Sequence, residues 1–330
     1  MRMTKYWLLR IASWLVPLVP FAIAQPLAEL GGTLAWMLAS GARRRVERNL
    51  RHIPALREDP ATLQRAARGV FQATSLNYLD FFRGRHLSDA QIFEGWTVAH
   101  EDEIGKAMAQ GKGLVILSAH LGNFENGASR LGAIGYNVVA PAERLRPEPL
   151  FELFCRLRAH HNLRLLPADS RETLRELITA LKNNEIVVVI SDRHVTGSSV
   201  EVPFFGEPAR LPTSAIALAH RTGAPVQAVF SWRTGPRTAS GVIVPLKLDT
   251  ETGSSSSTAT AATAAPARVR SAEATTQELG IFVHEMEKAI AAHPEQWVSA
   301  LSPIWETNEE HTSNGSLADT TQPPAYNAKA

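Results

Sequence analysis

Four short runs of apolar residues, mostly β-branched, punctuate the chain at 114–117 (Leu-Val-Ile-Leu), 186–190 (Ile-Val-Val-Val-Ile), 226–231 and 242–244. Runs of this length without a polar alternate predict strands buried on both faces. Around them, apolar positions recur at helical spacing over 61–82, 101–109, 124–131, 149–160, 171–181, 213–221 and 272–292, which predicts amphipathic helices. Strands alternating with helices imply an α/β fold, a mixed sheet flanked by helices. In open sheets of this kind, functional groups gather where strands end.

The two ends of the chain depart from this pattern. Residues 1–42 are apolar but interrupted by Arg10, Pro17, Pro20 and Pro26, which predicts a bent N-terminal helical hairpin. Tryptophans within an apolar but broken stretch suit a membrane-associated anchor at the bilayer interface. Two other readings stay open: a signal peptide ending near Ala22-Ile23-Ala24, and a hairpin buried in the core. Arg43, Arg44, Arg45, Arg48 and Arg51 follow directly, as headgroup contacts that favour the cytoplasmic side or as a solvated helix face. The main α/β domain is expected over 43–306. It would carry a flexible insertion at 251–270, rich in Ser, Thr, Ala and Gly, and be followed by a disordered tail at 307–330.

Composition narrows the classes. In 330 residues, 34 basic and 32 acidic side chains nearly cancel, which argues against a polybasic nucleic-acid binder. A hydrophobic content of 45% is globular. No run of twenty apolar residues suggests a polytopic membrane protein. Cys155 is the sole cysteine, so no intramolecular disulfide forms. With His160 and His161 it falls short of a metal ligand set, and no metal is expected.

The segment 118–125, Ser-Ala-His-Leu-Gly-Asn-Phe-Glu, carries the clearest chemistry. His120 emerges from a buried strand, Gly122 permits a sharp turn, Asn123 suits a helix cap, and Glu125 falls in the first helical turn. From there Glu125 is expected to reach back to the imidazole and orient it as a general base; a structural His–acid pair is the plainer alternative. A second block starts at the next strand end with Ser191-Asp192-Arg193 and runs through Val-Glu-Val-Pro-Phe-Phe-Gly at 200–206. Asp192 and Arg193 are candidate walls of the site or a mutual surface ion pair. Glu201 is a site candidate or a solvent-facing strand residue.

These blocks, with Arg-Asn-Leu at 48–50 and Pro-Glu-Gln-Trp at 294–297, resemble the lipid A biosynthesis (lauroyl/myristoyl) acyltransferase family, which includes phosphatidylinositol mannoside acyltransferases. The likeness runs from about Arg44 to Trp305. It implies a glycerolipid acyltransferase-like fold, with 43–306 as the acyltransferase domain. It also implies transfer of a fatty acyl group from an acyl carrier protein or coenzyme A thioester to a glycolipid hydroxyl, at the cytoplasmic face of the bacterial plasma (inner) membrane, with no cofactor beyond that donor. His120 and Glu125 would be catalytic, while Asn123, Arg158, Asp192, Arg193 and Glu201 would bind substrate. Arg144 and Arg146 are further candidates for the donor or an acidic headgroup, or else solvated charges. Glu201 is similar to the mannoside branch and Glu125 to the lipid A branch, so the acceptor is left open. A non-catalytic membrane-binding protein of the same fold and a lipid thioesterase are the competing readings.

Overall fold

The computed structural model describes residues 2–195, 197–248 and 272–305. The expected insertion at 251–270 and tail at 307–330 lie outside the described residues.

Seven strands form one sheet: β1 (Trp96–Ala99), β2 (Leu114–Ser118), β3 (Val138–Ala142), β4 (Leu163–Pro167), β5 (Ile186–Ile190), β8 (Val226–Arg233) and β9 (Ala239–Leu246). Between them, β6 (Ser199–Phe204) and β7 (Glu207–Pro212) make a separate antiparallel hairpin. The sheet order is β1-β9-β8-β2-β5-β3-β4. All neighbours are parallel except β8 and β9, so the sheet is mixed and flanked by helices, as the alternation predicts. At its centre, Leu114, Val115, Leu117, Ile186 and Val187 have no exposed surface, because helices cover both faces.

The longest helix, Pro60–Arg83, opens on Asp59, whose carboxylate accepts the backbone N–H groups of Ala61 and Thr62, with proline in the first turn. The helix Phe21–Leu38 packs against it. Gly32 makes that approach possible: a Cβ there would sit 2.6 Å from the Cα of Gln72. The helix Arg2–Leu15 packs on Pro60–Arg83 and on the helix Glu148–Arg158 rather than on Phe21–Leu38, so the expected hairpin is two helices laid separately on the body. Both, and the turn between them, carry open apolar surface, with Leu8, Trp14, Leu18 and Leu38 all more than 60% exposed. Among the described residues no helix is long and apolar enough to cross a membrane.

The helix Ser40–Leu50 buries Val46, Asn49 and Leu50. The Asn49 amide donates to the carbonyls of Ala300 and Ser302, both at 2.8 Å, tying this helix to the C-terminal segment that lies beneath the sheet's functional edge.

Candidate active site

Parallel pairing of β2 and β5 aligns Ser118 with Ile190, and the backbone N–H of Ser191 continues the ladder to the carbonyl of Ser118. Two residues past those strand ends, His120 and Asp192 therefore face each other. The imidazole Nδ1 lies 2.8 Å from Asp192 Oδ1. Asp192 Oδ2 accepts the backbone N–H of His120 at 2.9 Å and the indole N–H of Trp297 at 3.0 Å. Ser299 Oγ stands 3.0 Å from the same Nδ1.

Asp192 has no exposed surface. Burial pushes its carboxyl up, but the facing imidazole and the hydrogen bonds it accepts outweigh that and hold it below the ordinary carboxylate value. An ionised carboxylate can only accept, so Nδ1 must carry the proton, which leaves the lone pair on Nε2.

This geometry corrects the expected pairing of His120 with Glu125. The Glu125 carboxylate is held by Arg158, whose Nε donates to Oε2 at 2.7 Å and whose Nη2 donates to Oε1. A bidentate guanidinium thirty-three residues downstream captures the acid. Arg158 is itself sandwiched on apolar surface, its guanidinium carbon 3.7 Å from the Phe154 ring centroid and 5.0 Å from that of Phe81.

The remaining candidates separate. Asn123 occupies the N-cap position of the helix Phe124–Ala133, but its side chain makes no cap hydrogen bond; it is buried, with Oδ1 3.5 Å from Arg233. Arg193 pairs with Glu143 at 3.1 Å rather than with Asp192, because Asp192 is turned inward to His120. Glu201 is exposed on the hairpin, in register with Arg210, and is not among the residues lining the cavity beside His120. Arg144 bonds to Asp169 and Glu148, and Arg146 lies 3.9 Å from Glu148. Burial pushes the Cys155 thiol up, away from nucleophilic use. Among the described residues no group of three or more His, Cys, Asp and Glu side chains is placed to hold a metal ion.

His120 opens on a cavity of about 610 Å³ whose walls include Phe124, Glu125, Arg158 and Arg193 at one end and Ile116, Val188, Leu131 and Ile243 further in. Charged groups beside His120 and mostly apolar walls beyond them suit an amphiphilic ligand.

Sequence reasoning missed the clamp beneath the site. Leu121 bridges to Trp297, the Val298 N–H donates to the His120 carbonyl, and the Gly122 N–H donates to that of Gln296. Gly122 sits at φ +56°, where a Cβ would lie 2.4 Å from the Cα of Trp232, so only glycine fits this turn. Behind it, Arg233 pairs with Asp80 and donates to Asn77. Burial drives the Asp80 carboxyl above its ordinary value, against the pull of Arg233. The Pro-Glu-Gln-Trp motif was visible in the sequence, but no local pattern tied it to His120.

Residues 1–305 match the model of a family described as bacterial lipid A biosynthesis acyltransferase. Over 206 residues, 62% of the chain, it is 31% identical to a phosphatidylinositol mannoside acyltransferase of Mycobacterium tuberculosis. That match spans 58% of the relative's length, less than two thirds. A phosphatidylinositol mannoside acyltransferase of Mycolicibacterium smegmatis is 29% identical over 248 residues, 73% of the chain and 79% of that protein.

Proposed function

Since the chain belongs to the bacterial lipid A biosynthesis acyltransferase family, we propose that it moves a fatty acyl group from an acyl carrier protein or coenzyme A thioester to a hydroxyl of a glycolipid. The observation that carries this reading is a histidine, backed by a buried carboxylate, at the mouth of an apolar cavity.

In the proposed reaction the acceptor O–H gives its proton to His120 Nε2 as its oxygen attacks the thioester carbonyl. The tetrahedral intermediate then expels the thiolate, which takes the proton from the imidazolium. Asp192, ionised and fixed by its donors, stabilises that imidazolium. Glu125 keeps a different part in this reading: with Arg158 it forms a charged rim where the acceptor's sugar hydroxyls or the donor's phosphate arrive. Arg193 stands beside it.

Acceptor identity is drawn from the relatives. A phosphatidylinositol mannoside is the first acceptor to try and a lipid A precursor the second. The exposed apolar face of the helices Arg2–Leu15 and Phe21–Leu38 would rest on the lipid surface, with the nearby arginines against anionic headgroups. Basic residues beside an apolar anchor support the cytoplasmic face of the plasma membrane.

Purified protein, offered palmitoyl thioester with each acceptor, should form acylated glycolipid. His120→Ala should reduce the rate about 100- to 10,000-fold. Equal product from both proteins would overturn the catalytic reading, and free fatty acid as the main product in the presence of acceptor would make the enzyme a hydrolase.

A further inference from the structure

The end of the cavity remote from His120 is charged, and we propose that the Arg130–Glu101 ion pair is the floor that sets the length of the acyl chain. This rests on the acyl-transfer reading above.

Topology fixes the direction. β8 is parallel to β2, β9 antiparallel to β8, and β1 parallel to β9, so β1 runs against β2 and ends at the edge opposite His120. Glu101 follows β1 there. Leu163 starts β4, which is parallel to β2 through β3 and β5, and so belongs to the same remote edge. Arg130 lies five residues beyond Glu125 on the helix Phe124–Ala133, about 7.5 Å further along its axis. All three line the cavity together with His120. On this face the cavity therefore follows the strands downward, Ile116 being about 13 Å from His120 at strand spacing; Leu177, Leu218 and Phe230, which also line it, belong to the core on the other face.

Room for a chain comes from the helix face turned to the sheet. Phe124, Gly127, Ala128 and Leu131 share it at helical spacing and line the cavity. Gly127, where a Cβ would lie 3.6 Å from Ser231 Oγ and 3.7 Å from the Trp96 ring, and Ala128, packed on the cluster of Ile116, Val188 and Ile243, are both small and leave space beside the sheet.

Arg130 is only 5% exposed. Its Nη1 donates to Glu101, its guanidinium lies 4.6 Å from the Phe93 ring centroid, and its Nε has no hydrogen-bond partner among the described residues. An alkyl terminus pressed onto this group would cover a donor already short of a partner. Each methylene denied an apolar wall forfeits about a fourfold factor in affinity. The favoured chain is thus the one whose terminal methyl stops at Arg130.

The test is a binding and transfer series with the full-length protein. Saturated fatty acids from decanoate to eicosanoate are titrated by displacement of a fluorescent fatty acid, and the matching acyl thioesters are assayed for transfer. Arg130→Met should move the optimum to longer chains and relax discrimination by about fourfold per added methylene. Glu101→Gln should do so more weakly. Ala128→Leu, which fills the cavity without touching the floor, should move the optimum to shorter chains, and it decides the matter if Arg130→Met does not fold. An optimum that stays put in both binding and transfer, in variants with wild-type melting behaviour, would overturn the proposal while leaving acyl transfer intact. Length-dependent binding without any transfer would instead sink the acyl-transfer reading alone.

Discussion

At the scale of single residues, the site turns on how a carboxylate survives complete burial. Asp192 is ionised because three donors converge on it: the imidazole Nδ1–H, the backbone N–H of His120 and the indole of Trp297. Asp192→Asn keeps the shape but removes the charge that stabilises an imidazolium, so kcat is expected to fall about 100- to 10,000-fold with KM little changed. Glu125→Gln, away from the imidazole, should act chiefly on KM. Trp297→Phe removes one donor to a charged group, which typically contributes about 1.5–3 kcal/mol. With less to oppose burial, the Asp192 carboxyl rises, so the acid-induced loss of the fold, followed by melting against pH, should begin at a higher pH. An unchanged acid dependence, with stability merely lowered throughout, would reduce Trp297 to packing. A carboxyl held below its ordinary value of 3.8 stabilises the fold above that pH and loses the contribution as pH falls through the lowered value; Trp297→Phe shortens the range over which it helps.

Among the elements, those written in local pattern were legible and those defined by partners were not. β2, β5, β8 and β9 announce themselves because runs apolar throughout have no other stable use. β1 alternates half-buried with exposed positions, β3 contains Pro141, and β4 interrupts its apolar run with Arg164, so none stands out from loop or helix ends. His120 was legible as a strand-end histidine. Its partner was not, since pairing it with Asp192 requires knowing that β2 and β5 are parallel neighbours in one register, and nothing local encodes that. Proximity in sequence favoured Glu125, and Arg158, distant in the chain, took it. The N-terminal helices are a mixed case: their broken apolar pattern predicts a hairpin, and the structure has two helices packed separately on the body, each with apolar side chains uncovered. An exposed apolar surface of this extent calls for a partner. Replacing Leu8 and Trp14 together with serine, on the outward face of Arg2–Leu15, should sharply weaken cosedimentation with anionic phospholipid vesicles. The residual binding should fall with salt through the arginines at 43–48. Unchanged vesicle binding would count against the anchor.

Across the whole molecule, the helix Ser40–Leu50 and the segment 297–302 meet underneath His120. Asn49, from the arginine-rich helix Ser40–Leu50, holds the carbonyls of Ala300 and Ser302. Ser299, the residue before Ala300, reaches the imidazole, and Trp297 reaches Asp192. Val298 in turn fixes the backbone of His120. One path of hydrogen bonds therefore joins the helix next to the proposed membrane anchor to His120, which gives a physical reason for the Arg-Asn-Leu and Pro-Glu-Gln-Trp segments to accompany the histidine motif. Asn49 is 3% exposed, so Asn49→Ala leaves two carbonyls without their donor, at roughly 1–3 kcal/mol for a buried polar group left unsatisfied. If the path acts only on stability, the variant should melt lower by several degrees, about 2–4 °C per kcal/mol for a domain of this size, and retain full kcat well below its transition. If it also positions the dyad, kcat should drop several-fold at temperatures where the protein is fully folded, with KM for the thioester unchanged. We expect the second outcome, because the freed carbonyls lie one and three residues past Ser299 and three and five past Trp297, too close for slack at one end to be absorbed before it reaches the imidazole.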